Sequence, residues 1–127
     1  MGGLGLVPSA NVGSQIACFE PVHGSASCIV GQNKANPSAM LYTTALLLDH
    51  LGFKDASQQL SHSVDQVIRV GKSVTYDLGG LASTRQMAKA VVSFIVNPTP
   101  VCRAAIITVG DELLSGQYLN TNLQDLS

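Results

Sequence analysis

Within eight residues, Phe19-Glu20-Pro21-Val22-His23-Gly24-Ser25-Ala26 places a carboxylate, an imidazole and a hydroxyl around a proline and a glycine. Such a loop can grip a polar ligand. Glu20 can accept from a ribose diol, and His23 can stack on or hydrogen-bond to a nucleobase. The amides after Gly24 can approach a phosphate because glycine puts no side chain in the way. The same residues also read as a packed turn with a satisfied histidine and an exposed glutamate. Asn36 is double in the same sense. Before a proline it is a routine helix cap contributing roughly 1 kcal/mol, and its amide is also a paired donor and acceptor for an adenine edge.

Two phosphate-loop patterns fail at defined positions. Gly3 and Gly5 open a G-x-G-x-x-G spacing, but Pro8 stands at its third glycine and no strand is expected before it. Gly71-Lys72-Ser73 ends like a P-loop, but Gln66 stands where the first glycine belongs. Cys18, Cys28 and Cys102 are an odd set without a C-x-x-C pair, which argues against a disulfide scaffold and a structural zinc site and for a reducing compartment. His50 and His62 fall on expected helices as surface or cap residues.

The 127 residues suit at most one compact unit. A net charge of −1 supplies no broad positive field, so neither a nucleic acid nor an acidic membrane surface is an expected partner. Only 12% of residues are charged and mean hydropathy is +0.27, so much apolar surface must be covered by a partner or by further protein. The greasy stretch from Ala39 to Leu48 is too short to span a bilayer, which needs about 20 apolar residues. The start of the chain has neither a secretory nor a transit-peptide pattern.

The elements that must hold these groups are legible in outline. Residues 1–15 are rich in Gly, Ser, Asn and Pro, Gln15 to Glu20 read as a short buried strand, and Pro21 to Pro37 as loop. Asn36-Pro37 opens a helix with Met40, Leu41, Ala45, Leu48 and Leu51 on its apolar side, closed by Gly52. Asp55 is positioned to cap a second helix with the stripe Ala56, Leu60, Val64, Val67 and Ile68, ending at Gly71. Asp77-Leu78-Gly79-Gly80 is a turn, with Asp77 expected to cap the Gly79-Gly80 backbone. Ser83-Thr84-Arg85-Gln86 is a capping box for a third helix through Met87, Ala88, Val91, Val92 and Ile95. Asn97-Pro98-Thr99-Pro100 stops that helix and marks a linker.

Four ordered motifs carry a resemblance. They are Gly2-Gly3-Leu4-Gly5-Leu6-Val7-Pro8-Ser9-Ala10-Asn11-Val12-Gly13, the Phe19-to-Ala26 loop, Ala35-Asn36-Pro37-Ser38-Ala39-Met40-Leu41, and Asp77-Leu78-Gly79-Gly80 ahead of a capping box. Together they resemble the carboxy-terminal part of the isocitrate and isopropylmalate dehydrogenases over residues 1–96. The resemblance implies a non-Rossmann dinucleotide site to which Glu20, His23, Gly24, Ser25, Ala26 and Asn36 belong, with Asn36 near the adenine. Ile29 and the absence of a nearby cation to hold a 2′-phosphate favour NAD over NADP. Cys28 and Ser27 depart from the Pro-Asp pair common in NAD users. The Leu-Asp-His-Leu-Gly and Val-Ile-Arg-Val-Gly-Lys stretches look most like the mitochondrial NAD-type isocitrate dehydrogenase subunits, which implies the mitochondrial matrix, with the cytoplasm as the other placement. The family's decarboxylation chemistry uses Mg²⁺ or Mn²⁺ on aspartates, arginines on the substrate and a Tyr/Lys pair, and these lie mostly upstream of this segment. No catalytic residue or metal ligand is therefore assigned, and the chain alone is expected to be inactive.

After the linker at 97–102, residues 103–127 carry a second resemblance. Arg103-Ala104-Ala105-Ile106-Ile107-Thr108-Val109-Gly110-Asp111-Glu112-Leu113-Leu114 with Asn120-Thr121-Asn122 looks like the first strand and helix of the molybdopterin-binding domain. That domain also occurs in the competence-damage-inducible protein and some FAD synthases. The expected architecture is thus α/β: a cofactor-side fragment of the dehydrogenase fold plus a truncated strand and helix of a second α/β domain. The expected function is a share in NAD-linked oxidative decarboxylation of isocitrate. The alternatives are a regulatory or interaction fragment docking on a full-length subunit or on itself, and an artefactual join of two neighbouring genes.

Overall fold

Three helices and one hairpin carry the described part of the chain, residues 3–98 of a computed structural model. Strands β1 (Pro8–Val12) and β2 (Ala17–Pro21) pair antiparallel, with Pro8 opposite Pro21, Ala10 opposite Phe19 and Val12 opposite Ala17. The Gly13 N–H donates to the Ile16 carbonyl at 2.9 Å and closes the hairpin. Strand β1 forms inside the stretch of residues 1–15, where the sequence pattern indicated no strand. A stretch rich in Gly, Ser, Asn and Pro has weak strand propensity, and the ladder with β2 overrides it. The expected buried strand is corrected as well: only Ala17, Phe19 and Pro21 of β2 are half-buried, on alternate positions, because one face packs on a helix and the other faces out.

Helix α1 (Ser38–His50) begins where Asn36 Oδ1 accepts the Ser38 N–H at 2.9 Å and the Pro37 carbonyl accepts the Leu41 N–H. Gly52, at φ 87°, turns the chain after it. The apolar side expected for α1 is only partly right. Ala39, Thr43 and Ala45 are buried, while Met40 is 53% and Leu51 59% exposed. A helix that is apolar on nearly all sides gives no single stripe to choose, so packing chose the side with small residues. Thr43 satisfies its buried hydroxyl on the Ala39 carbonyl.

Helix α2 (Lys54–Val70) starts one residue before Asp55, which therefore lies inside the first turn and does not cap it. Its carboxylate still suits the positive end of the helix. The α2 stripe holds: Val64 and Val67 are buried, Leu60 and Ile68 pack beside them, and Gly71 ends the helix at φ 70°. Only Ala56 of that expected set is exposed. Helix α3 (Thr84–Val96) opens with the capping box complete, Ser83 Oγ accepting the Gln86 N–H and Gln86 Oε1 accepting the Ser83 N–H. Met87 and Val91 of α3 meet Val64, Val67 and Val74 in one core, with Leu41, Tyr42, Leu78 and Phe94 packed around it.

Helix α1 lies between the hairpin and α2, and α2 lies against α3. The Ser57 hydroxyl donates to the Ala45 carbonyl at 2.7 Å, and the Tyr42 hydroxyl donates to Asp65, so the α1–α2 contact is polar as well as apolar. No helix among the described residues is long and apolar enough to cross a membrane. The second resemblance, on residues 103–127, lies outside the described residues.

Candidate functional site

The segment between β2 and α1 is built from tight turns. Ala26 takes a left-handed φ of 46°, residues Ser27–Ile29 form one 3-10 turn, and Gly31 and Asn33 are left-handed again at 76° and 55°. Glycine adopts such angles freely, and asparagine does so more readily than most residues. Asn33 fastens the loop to α3: its carbonyl accepts the Thr84 N–H at 2.9 Å and its side-chain oxygen accepts the Arg85 N–H at 3.2 Å. The Thr84 hydroxyl donates to the Ala35 carbonyl.

His23, Gly24, Ala26, Ile29 and Asn36 line one cleft of about 330 Å³, within the roughly 300–1,000 Å³ of small-molecule sites. The His23 Nδ1 lies 2.9 Å from the Gly24 carbonyl, which can only accept, so Nδ1 donates in this bond and Nε2 is left for another partner. Gly24 leaves room, since a Cβ there would meet nothing within 4 Å.

Asn36 spends half of its amide on each side. Its oxygen accepts the Ser38 N–H, and its Nδ2 donates to Asp77 Oδ2 at 2.8 Å. Asn36 thus supports the start of α1 from one residue before the N-cap, which is Pro37, while one N–H and one lone pair remain for another partner. Asp77 does not cap the Gly79-Gly80 backbone as expected. The Gly79 and Gly80 N–H groups donate to the Tyr76 and Thr75 carbonyls, which leaves the Asp77 carboxylate to accept from Asn36 and from the Thr75 hydroxyl.

Of the other expected residues, Ser25 lines an adjoining cleft of about 250 Å³, together with Lys34 and Thr84. Glu20 stands apart, exposed on β2 opposite Ser9, and lines neither cleft. Sequence reasoning missed Gly5, Tyr76 and Asp77 as wall residues. Gly5 carried a usable signal: a Cβ there would lie 3.2 Å from Asp77 Oδ2 and 3.4 Å from the Asn36 Cβ, so the glycine lets three distant segments close on one point. Lys34 corrects the expectation that no cation stands nearby. A larger depression of about 610 Å³ along α3, with Lys72, Lys89 and Phe94, is more open and contains none of the expected residues. Among the described residues, no group of three or more His, Cys, Asp or Glu side chains could hold a metal ion.

Residues 1–91 match the family described as isocitrate/isopropylmalate dehydrogenase. The whole chain aligns with Protein DlpA of Legionella pneumophila at 48% identity, covering 22% of that protein. The 3-isopropylmalate dehydrogenase of Methanothermobacter thermautotrophicus is 50% identical over 72% of the chain and 27% of its own length. Other relatives are named an NADP isocitrate dehydrogenase, from Archaeoglobus fulgidus (46% identical over 72% of the chain and 23% of the relative), and a mitochondrial NAD isocitrate dehydrogenase subunit, from Kluyveromyces lactis (46% over 72% and 25%). The crystal structure of isocitrate dehydrogenase from Methylococcus capsulatus superposes with a TM-score of 0.71 at 43% identity, over 74% of this chain and 28% of that one. The chain spans about a quarter of the length of the curated relatives it matches. With the hairpin, the three helices and the turn-built cleft all falling inside the matched region, the chain belongs to the isocitrate/isopropylmalate dehydrogenase family.

Proposed function

We propose that this chain supplies the dinucleotide-binding side of a decarboxylating dehydrogenase, with NAD as the favoured cofactor and isocitrate as the substrate of the complete enzyme. One observation carries the reading: His23, Gly24, Ala26, Ile29 and Asn36, drawn from both ends of a turn-rich loop, line a single cleft. The donor set suits a nucleotide. His23 Nε2 is left for a partner, the free Asn36 N–H donates, Ile29 and Ala26 offer apolar contact to a base, and bare Gly24 permits close approach. When bound, the cofactor accepts a hydride from the substrate. The residues here bind and orient it, while Mg²⁺ or Mn²⁺ and the substrate groups belong to the rest of the family's fold.

A titration of the purified chain with NAD, followed by calorimetry, tests the reading. His23→Ala removes a ring and one neutral hydrogen bond worth roughly 0.5–1.5 kcal/mol, so affinity should fall about 2- to 13-fold. Unchanged NAD affinity in that variant would sink the assignment of the cleft.

A second reading, an interaction fragment that docks on a full-length subunit or on itself, is favoured by the apolar surface left in water. Ile16 is 80%, Val12 61% and Phe53 59% exposed. Sedimentation tests its self-docking form, which a purely monomeric species at all concentrations contradicts. The alignment of the entire chain with DlpA counts against an artefactual join, since both sides of the proline linker then occur in one relative. A molybdopterin-type role for residues 103–127 rests on its motif alone. A mitochondrial placement is favoured by the name of the Kluyveromyces relative, and the bacterial source of DlpA weighs toward the cytoplasm.

A further inference from the structure

Two of the clefts flanking residues 26–35 hold one lysine and, among the described residues, no carboxylate. Lys34 lines the cleft of about 250 Å³ beside Ser25 and Ala26, and also a third cleft of about 520 Å³ with Tyr76 and Ser83. Among the described residues it is the single Lys or Arg on either wall and neither wall includes Asp or Glu, while the adjoining nucleotide cleft carries Asp77. The first of these clefts shares His23, Gly24, Ala26 and Ile29 with the nucleotide cleft, so a ligand seated against His23 has Lys34 within its neighbourhood.

The backbone around Lys34 is held on both sides. Asn33 is tied to Thr84 and Arg85, and the Ala35 carbonyl accepts the Thr84 hydroxyl, so the backbone is held on both sides of residue 34 while its side chain is exposed. The start of α3 lies close by, but its amides are already used. The N–H groups of Thr84, Arg85, Gln86 and Met87 donate to the Asn33 carbonyl, Asn33 Oδ1, Ser83 Oγ and the Ser83 carbonyl. The helix end adds a positive field, and the free donors come from side chains. An ammonium is a compact charge with three donors, suited to a phosphate.

We propose that Lys34 is the phosphate-binding cation of this cleft, engaging a phosphate of a nucleotide seated against His23 and Asn36. The inference rests on the dinucleotide reading above. Two phosphates share this chemistry: the pyrophosphate common to NAD and NADP, and the ribose 2′-phosphate of NADP alone.

Calorimetric titration of the purified chain with adenosine, NAD and NADP tests the proposal, using wild type, Lys34→Gln and Lys34→Arg, each checked for unchanged thermal melting. Lys34→Gln should weaken at least one dinucleotide about five-fold, the scale of a charge contact at an exposed rim, and leave adenosine unchanged. Lys34→Arg should retain the affinity. In about 1 M salt, where screening acts within about 3 Å, the difference between wild type and Lys34→Gln should vanish. Loss confined to NADP assigns the 2′-phosphate, equal loss with both dinucleotides assigns the pyrophosphate, and either supports the proposal. Unchanged affinity for both dinucleotides, or equal weakening of adenosine, overturns it and leaves the cleft reading standing. If wild type binds none of the three ligands, the cleft reading itself falls and Lys34 falls with it.

Discussion

Asn36 Nδ2 donates to Asp77 Oδ2 at 2.8 Å and so joins positions 41 residues apart at the wall of the cleft. The same amide starts α1 through its oxygen. One side chain therefore fixes where a helix begins and where the turn after α2 comes to rest against it.

That bond changes what an Asn36→Asp variant will do. As a cap, Asp serves as well as Asn, but here it would set a second carboxylate against Asp77. Urea denaturation should show a loss of about 1 kcal/mol, on the scale of one hydrogen bond. The double variant Asn36→Asp with Asp77→Asn restores a donor and an acceptor across the same gap and should recover most of it. Failure of the double variant to recover stability would show that the pair is not coupled.

Met87 is fully buried at the centre of the valine cluster from α2 and α3. Met87→Ala should cost about 2–5 kcal/mol through lost burial and a residual cavity, a large part of a total near 5–15 kcal/mol. Val92→Ala, at a position 56% exposed, should stay within about 0.5 kcal/mol. Denaturation midpoints of the two variants provide the comparison, and equal losses would contradict this packing.

Gly80 and Gly24 make a matched pair. A Cβ on Gly80 would lie 2.0 Å from the Val74 carbonyl oxygen, so Gly80→Ala must force the turn before α3 apart and cost roughly 1–3 kcal/mol or more. A Cβ on Gly24 meets open space, so Gly24→Ala should melt as wild type does while weakening NAD wherever a phosphate needs the bare amide. Melting curves and NAD titrations on both variants check this, and a destabilised Gly24→Ala would contradict the open geometry.

Tyr42 is predicted to mark the alkaline edge of stability. Burial, then its hydrogen bond to Asp65 and the carboxylate's charge, push the phenol above its ordinary value of 10.0. The raised group favours the neutral form in the folded state. Its contribution is therefore complete below pH 10 and is lost as pH climbs from there toward the folded value. Tyr42→Phe should flatten this alkaline loss in a pH series of denaturation curves, and an unchanged slope would contradict the assignment.

The sequence by itself determined the three helices and most of their ends, the start of α2 excepted, because those signals act over three or four residues. Ser83 with Gln86, Gly71, and Asn36 before Pro37 each satisfy backbone groups beside them, and the α2 stripe needs only its own periodicity. The family motifs were legible for the same reason, being contiguous runs. The tertiary structure alone decided the rest. Strand β1 exists because β2 lies beside it, not because Pro8-Ser9-Ala10-Asn11-Val12 favours a strand. The buried side of α1 was selected by its neighbours, since its apolar residues run nearly all round. Asp77 found Asn36 through turns and packing that bring distant segments together, and no local pattern encodes which distant carboxylate arrives there.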